Sequence, residues 1–324
     1  MDVKSKIKLP IKAELESFKT FYSAQFNSDV VLLNKALAHV ADSSGKMMRP
    51  MLVLLAAKSL GEVNEKTFLA ASALELLHTA SLLHDDVVDE SDMRRGKPSL
   101  NALYSNRIAI LTGDYLFSSS LFNAAKTKNN EIIEILSSLG RILSEGEMLQ
   151  LELQKSGGYS EERYFNVIRC KTAVLFATCA CFGSLSVNAD KNMVDNFTRF
   201  GELLGICFQL KDDIFDYYKT DIGKPTGSDI REGKITLPAL YVLNNVSSPA
   251  VEQIKNKLEN SNPLADDEID LLIELSKSSG GVEYAQKKID EYYSEALSLI
   301  PFDIPDDCRQ ALIAYLDYVV ARDK

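Results

Sequence analysis

The feature that most constrains the fold is a helical hydrophobic period carried through nearly the whole chain. Apolar residues recur at intervals of three and four, as in Leu69, Ala73, Leu76, Leu77, Ala80 and Leu83, and no segment sustains the alternation that a half-buried strand requires. The pattern predicts an all-α protein. Nine prolines and sixteen glycines punctuate it, at stretches such as Lys46 to Pro50, Gly96 to Pro98, Gly223 to Gly227 and Pro301 to Pro305, spaced as loops between long helices. Neither a Gly/Ser-rich linker nor a fixed helical repeat divides the sequence, so one domain over residues 1–324 is expected. Its motif-bearing core runs over about residues 45–240. Amphipathic segments from about 245 to 324, such as Val251 to Leu258 and Asp267 to Leu275, are assigned to packing.

Composition narrows the classes that remain. With 46% apolar and 25% charged residues, the chain has the profile of a soluble globular protein. The longest unbroken apolar runs, such as Met51 to Ala57, fall far short of a bilayer's thickness, so no transmembrane segment is expected. Met1 to Phe21 lacks the apolar core of a secretory signal, which makes the cytoplasm the default location. A net charge of -10 disfavours nucleic acid as a partner, although basic residues gather around Lys46, Arg94 and Lys224, where phosphates could bind. The five cysteines, Cys170, Cys179, Cys181, Cys207 and Cys308, read as reduced and mostly core. Cys179-Ala180-Cys181 has neither the spacing nor the histidine of a zinc site.

Two segments carry chemistry. His84-Asp85-Asp86-Val87-Val88-Asp89 closes the apolar helix predicted over Phe68 to Leu83. Residues i and i+4 share a helix face, so Asp85 and Asp89 project together with Asp86 beside them. Like charges on one turn need cations or basic side chains to compensate them. Asp212-Asp213-Ile214-Phe215-Asp216 repeats the spacing after a second apolar helix, Phe197 to Leu210. One such cluster is more often a solvated helix end. Two, each followed by basic and glycine-containing segments, point to Mg²⁺, a hard cation that takes few carboxylates and completes its shell with water and substrate phosphates. No P-loop or dinucleotide fingerprint accompanies them.

Around these segments the chain strongly resembles the trans-isoprenyl diphosphate synthases, the polyprenyl synthetase family. The matches run in order: Gly45-Lys46-Met47-Met48-Arg49-Pro50, with Ser44 and Met47 departing from the family pattern; Glu75-Leu76-Leu77-His78; the first aspartate segment with Asp92-Met93-Arg94-Arg95-Gly96-Lys97-Pro98; Gly146-Glu147-Met148-Leu149-Gln150; Lys171-Thr172; Phe208-Gln209 with the second segment; and Gly223-Lys224-Pro225 through Gly233-Lys234-Ile235-Thr236-Leu237-Pro238. The resemblance implies a bundle of long helices around a deep central cavity, acting as a homodimer. It also implies a site in which Asp85, Asp89 and Asp212 hold Mg²⁺, three ions with bound diphosphate, on an allylic diphosphate, supported by Asp86, Asp213 and Asp216. Arg94, Lys171, Lys234 and Lys224 would contact the same diphosphate. Isopentenyl diphosphate would be bound by Lys46, Arg49, His78 and Arg95. Thr172 and Gln209 would line the reacting centre, where ionisation, attack by the isopentenyl double bond and loss of a proton require no protein nucleophile.

Blander readings stand beside these. A lone histidine on an apolar helix is usually a hydrogen-bonded core residue; His78 gains weight by lying two turns above Asp85 on the same face. His84 is assigned to orientation or packing, and His39 to no function. Glu147 and Gln150 face either solvent or the cavity with equal weight.

Ala80 and Ser81, five and four residues before the first aspartate, are positions where short-chain family members carry bulky blocks. Both are small here, so the resemblance implies a longer product. Leu77 and then Ala73 come next down the same face, and a floor would come from a neighbouring helix such as Ile132 to Leu139. The wording from Leu76 to Lys97 is closest to bacterial long-chain members that make octaprenyl products of about eight isoprene units for quinone side chains. Release of such a product would involve transient membrane contact. The alternatives are a short- or medium-chain (farnesyl or geranylgeranyl) synthase, a class I terpene cyclase, and a non-catalytic synthase subunit.

Overall fold

The computed structural model describes residues 2–43, 45–218 and 226–322. Helices dominate, as the hydrophobic period predicts. In chain order they are α1 (Val3–Lys8), α2 (Lys12–Ser23), α3 (Val31–Asp42), α4 (Met48–Leu60), α5 (Glu65–Val88), α6 (Leu100–Leu103), α7 (Asn106–Lys126), α8 (Asn130–Ser156), α9 (Glu161–Ile168), α10 (Val174–Ser186), α11 (Lys191–Phe215), α12 (Ser228–Arg231), α13 (Leu237–Asn245), α14 (Pro249–Glu259), α15 (Asp266–Ser278), α16 (Gly281–Ser298) and α17 (Asp306–Ala321). Among the described residues, strand is confined to a two-stranded antiparallel ribbon, β1 (Met93–Arg94) and β2 (Lys97–Pro98).

By Cα packing the chain separates into two compact units, each gathered from three segments. The first comprises Met1–Gly140, Thr178–Thr198 and Pro301–Leu312; the second comprises Arg141–Ala177, Arg199–Ile300 and Ile313–Lys324.

In the first unit α5 is the central helix and packs along α7. Its start is set locally: the Asn64 side chain accepts from the Lys66 and Thr67 amides at 2.9 and 3.3 Å, and Thr67 Oγ1 accepts from the Asn64 amide at 3.3 Å, a closed capping box. Leu74, Leu76 and Leu77 are buried, each contributing roughly 1.5–3 kcal/mol. Close helix approach is permitted by Gly183 of α10, whose missing Cβ would lie 2.4 Å from the Val53 carbonyl oxygen of α4. In the second unit α13 packs against α15 and α16.

Unbroken apolar runs are short, but Glu161–Ser186 forms a continuous helical stretch whose mean hydropathy, 1.4, and length suffice to cross a membrane. Two thirds of its apolar window is buried (67%), which is the pattern of a core helix of the packed chain. The cysteines are all free; Cys179, Cys181, Cys207 and Cys308 are buried and Cys170 is half-buried.

Candidate active site

The first aspartate segment and the candidate isopentenyl ligands all belong to the first unit. Asp85 and Asp86 lie in the last turn of α5, and Asp89 is its C-cap and exposed. Asp86 is 2% exposed, and a carboxylate so buried needs a partner. Arg94 supplies it, donating from Nε to Oδ1 at 2.9 Å, with Nη2 on the same oxygen. Asp85 and Asp89 remain on the adjoining face.

The turn between β1 and β2 explains where Arg95 goes. Arg95 and Gly96 both have positive φ, 53° and 76°, the pattern of a two-residue hairpin turn whose twist matches the ribbon. An arginine in the left-handed region carries strain, and its side chain is held by donation from Nη1 to the Ser43 carbonyl at 3.0 Å. A Cβ on Gly45 would meet that guanidinium at 2.8 Å, so the glycine makes room for the cation.

His78, half-buried two turns above Asp85, has its imidazole pushed well below the ordinary range by burial, with Arg49, Arg95 and Arg94 adding to the effect. It is therefore neutral at physiological pH, able both to donate and to accept. Glu75, one turn further up and 7% exposed, is raised by burial, with Arg49 and Arg95 opposing. It shares a cavity of about 50 Å³ with Tyr22, Gly45, Thr79 and Arg95. Lys46 is exposed two residues before α4, and Arg49 is half-buried in its first turn. Leu77 and Ala80 are buried at 2% and 1%, and Ser81 Oγ turns back to the His78 carbonyl at 2.9 Å.

The second segment lies in the second unit with the other candidates. Lys171 and Thr172 occupy a π-helical turn, Arg169–Ala173, between α9 and α10. Such bulges rotate side chains off the regular face and recur at functional sites. Gly146 makes this approach possible: a Cβ there would lie 2.8 Å from Cys170 Cβ and 3.0 Å from Lys171 Cγ. Lys171 Nζ donates to Glu147 Oε2 at 2.8 Å and to Gln150 Oε1 at 2.9 Å, which resolves the balance left open for those two residues. Gln150 lines the cavity and Glu147 orients the lysine.

That cavity, about 200 Å³, is also lined by Tyr164, Lys171, Thr172, Gln209, Asp213 and Lys234. Thr172 Oγ1 donates to Gln209 Oε1 at 2.7 Å, Gln209 Nε2 donates to Asp213 Oδ1 at 2.7 Å, and the Tyr164 hydroxyl donates to Asp213 Oδ2 at 2.5 Å. Burial raises Asp213 to about 7, with the Asp229 charge adding to the effect. Asp216 lies just beyond α11, where Oδ1 accepts from the Ser228 amide and hydroxyl at 3.0 and 2.6 Å and Oδ2 from the Asp229 amide at 3.0 Å. Asp212 Oδ1 accepts from Arg322 Nη2 at 2.6 Å. Lys234 donates to Glu232 at 2.6 Å. Lys224 lies outside the described residues.

Sequence reading missed Arg322, Tyr164 and Glu75 as site residues. Glu75 had a signal, a carboxylate set among apolar positions three residues before His78. Tyr164 and Arg322 had none, because their partners are 49 and 110 residues away.

The donor chemistry fits a hard cation. Asp85 with Asp89, and Asp212 alone, offer the one or two carboxylates that Mg²⁺ takes from a protein when diphosphate oxygens complete its shell. Among the described residues no group of three or more acidic, histidine or cysteine side chains stands ready to enclose a metal by itself.

The sequence profile described as Polyprenyl synthetase matches residues 30–275. Octaprenyl diphosphate synthase of Escherichia coli (strain K12) is 34% identical over 303 residues, 93% of each chain. Among solved structures, a geranylgeranyl pyrophosphate synthase from Bacteroides thetaiotaomicron is 47% identical at a TM-score of 0.85, covering 99% of this chain and 100% of that one. A polyprenyl synthase from Caulobacter crescentus, complexed with calcium and isoprenyl diphosphate, is 30% identical at a TM-score of 0.88, covering 100% and 98%.

Proposed function

The chain belongs to the polyprenyl synthetase family and is a prenyltransferase of the trans-polyprenyl diphosphate synthase type, and from that premise we propose that it extends an allylic diphosphate by successive isopentenyl units to a long-chain product of about C40. The observation that carries this reading is the company each aspartate segment keeps within its own unit: Arg94 and Arg95 beside Asp86, and Lys171 and Lys234 in the cavity that Asp213 lines.

In the proposed mechanism, Asp85 and Asp89 of the first unit and Asp212 of the second are the carboxylates that would hold Mg²⁺ with the allylic diphosphate, and Asp86, Asp213 and Asp216 would brace the side chains around them. The chemistry that Mg²⁺ would supply there is neutralisation of the diphosphate's charge, which would make it a better leaving group. Lys171, oriented by Glu147 and Gln150, and Lys234 would supply positive charge to the diphosphate, as would Arg94 and, by its motif, Lys224. Lys46, Arg49, His78 and Arg95 hold isopentenyl diphosphate without metal, the arginine forks suiting phosphate oxygens. Thr172 and Gln209 present oxygen dipoles to the allylic cation, and the apolar lining keeps out water that would trap it. The released diphosphate takes the proton.

Small residues at Ala80 and Ser81 and the likeness to the octaprenyl synthase favour the long product. The 47% identity to a geranylgeranyl synthase favours a second reading, a C20 product. Purified protein incubated with Mg²⁺, farnesyl diphosphate and isopentenyl diphosphate decides between them by mass spectrometry of the products. A ladder ending near C40 is expected; a single C20 species replaces the long-chain reading with the second, and a cyclic hydrocarbon or no product overturns both.

The working unit in this proposal is a single-domain homodimer in the cytoplasm, with transient membrane contact as product leaves. Ile110, Leu111, Phe117 and Phe122 are exposed on one side of α7, opposite the Ala109, Leu116 and Ser120 face that is buried. Exposed apolar residues gathered on one helix face support burial against a second copy.

A further inference from the structure

The hydrogen-bonded chain in the second unit has a direction, and one end of it is a residue to which no role has been given. Asp213 sits at its centre. Both groups that touch its carboxylate oxygens donate to them. Tyr164 gives its single hydroxyl proton to Oδ2 at 2.5 Å, and Gln209 turns its amide nitrogen to Oδ1 at 2.7 Å. With the nitrogen committed, the Gln209 carbonyl oxygen must face the other way, where it accepts the only proton of Thr172 at 2.7 Å. Thr172 then keeps only lone pairs for the cavity, which it, Gln209 and Tyr164 all line.

We propose that Tyr164 is a positioning residue for prenyl transfer: by fixing Asp213 as a two-sided acceptor, it sets the orientation of the Gln209 and Thr172 oxygens that face the allylic carbon. The inference deepens the functional reading above and rests on it. Tyr164 is suited to the task because it is 7% exposed and braced by an edge contact with the Phe165 ring at 5.3 Å, so its hydroxyl has little freedom to point elsewhere. Asp213 is thereby an orienting anchor, its two oxygens engaged by side chains.

The relay makes a prediction that simple packing does not. Removing the phenolic proton with Tyr164→Phe keeps the ring and loses only the bond. Turnover (kcat) is expected to fall roughly 10- to 100-fold, the range for loss of a group that orients a functional side chain. KM for both diphosphates, and calorimetric affinity for a non-reactive allylic thiodiphosphate with Mg²⁺, should stay within about twofold, since the side chains assigned to metal and diphosphate, Asp85, Asp89, Asp212, Lys171 and Lys234, make no hydrogen bond to Tyr164 that the substitution would remove. Thr172→Val removes the far end of the chain, so in the Tyr164→Phe/Thr172→Val double variant the tyrosine change should add little. Unchanged kcat in Tyr164→Phe, a rise in KM or weaker analogue binding as the main effect, or fully additive losses in the double variant would each overturn the proposal. Wild-type protein that forms no prenyl product at all fails the functional reading instead, and the two failures are thus distinguishable.

Discussion

Arg322, beyond the end of α17, donates from Nη2 to Asp212 Oδ1 at 2.6 Å while its guanidinium lies 3.8 Å above the centre of the Phe208 ring. The same nitrogen reaches the Phe208 carbonyl at 2.7 Å. The arginine is only 10% exposed, so its charge is committed to the leading carboxylate of the second aspartate segment. Burial raises Asp212, and Arg322 opposes that rise.

On the proposed metal role of Asp212, Arg322 competes with the cation. Arg322→Gln should tighten binding of Mn²⁺, used as the probe metal without diphosphate, by up to about tenfold, the worth of one charge-assisted hydrogen bond. Titration followed by electron paramagnetic resonance reads this directly. Unchanged or weaker Mn²⁺ binding would show that Arg322 does not compete at that carboxylate.

Ala80 tests the product cavity. It is buried on α5 five residues before Asp85, and a phenylalanine there would fill the space that the growing chain needs. Ala80→Phe should shift the main product to fewer isoprene units with the first condensations little slowed. Identical product lengths from variant and wild type, measured with radiolabelled isopentenyl diphosphate, would remove Ala80 from the chain path.

His78 gives a pH dependence of stability with a definite sign. Its folded-state pKa lies well below 6.5, so the unfolded chain binds the proton more readily than the native one. For a base depressed in this way, stability is full above 6.5 and declines as pH falls through that value. His78→Gln should flatten the loss of thermal midpoint between about pH 7 and 5. An unchanged slope would mean that other groups carry it.

Gly183 is a packing requirement of the first unit. An alanine Cβ would lie 2.4 Å from the Val53 carbonyl oxygen and 2.6 Å from Ala56 Cβ, contacts with backbone and helix that cannot swing aside. Gly183→Ala should cost about 3 kcal/mol, lowering the thermal midpoint by roughly 6–12 °C. Gly113→Ala is the control, because its nearest neighbour is the half-exposed His84 ring, at 2.4 Å, which can rotate away. Equal losses in the two would contradict this distinction between fixed and movable neighbours.

What the sequence determined by itself was whatever follows from spacing along one helix. The three-and-four period specified α5 and α11, the i to i+4 rule placed Asp85 beside Asp89, and the helix pitch placed His78 above them, because such relations depend only on neighbours a turn or two away. Ordered motifs added the family. Tertiary structure decided which charges are committed: Arg94 to Asp86, Lys171 to Glu147 and Gln150, Tyr164 and Gln209 to Asp213, and Arg322 to Asp212. Four of these six pairs join residues more than ten positions apart, and no local period encodes those four. The physical reason is that a buried carboxylate must find its donors wherever the packed chain brings them, and packing, unlike periodicity, is a property of the whole unit.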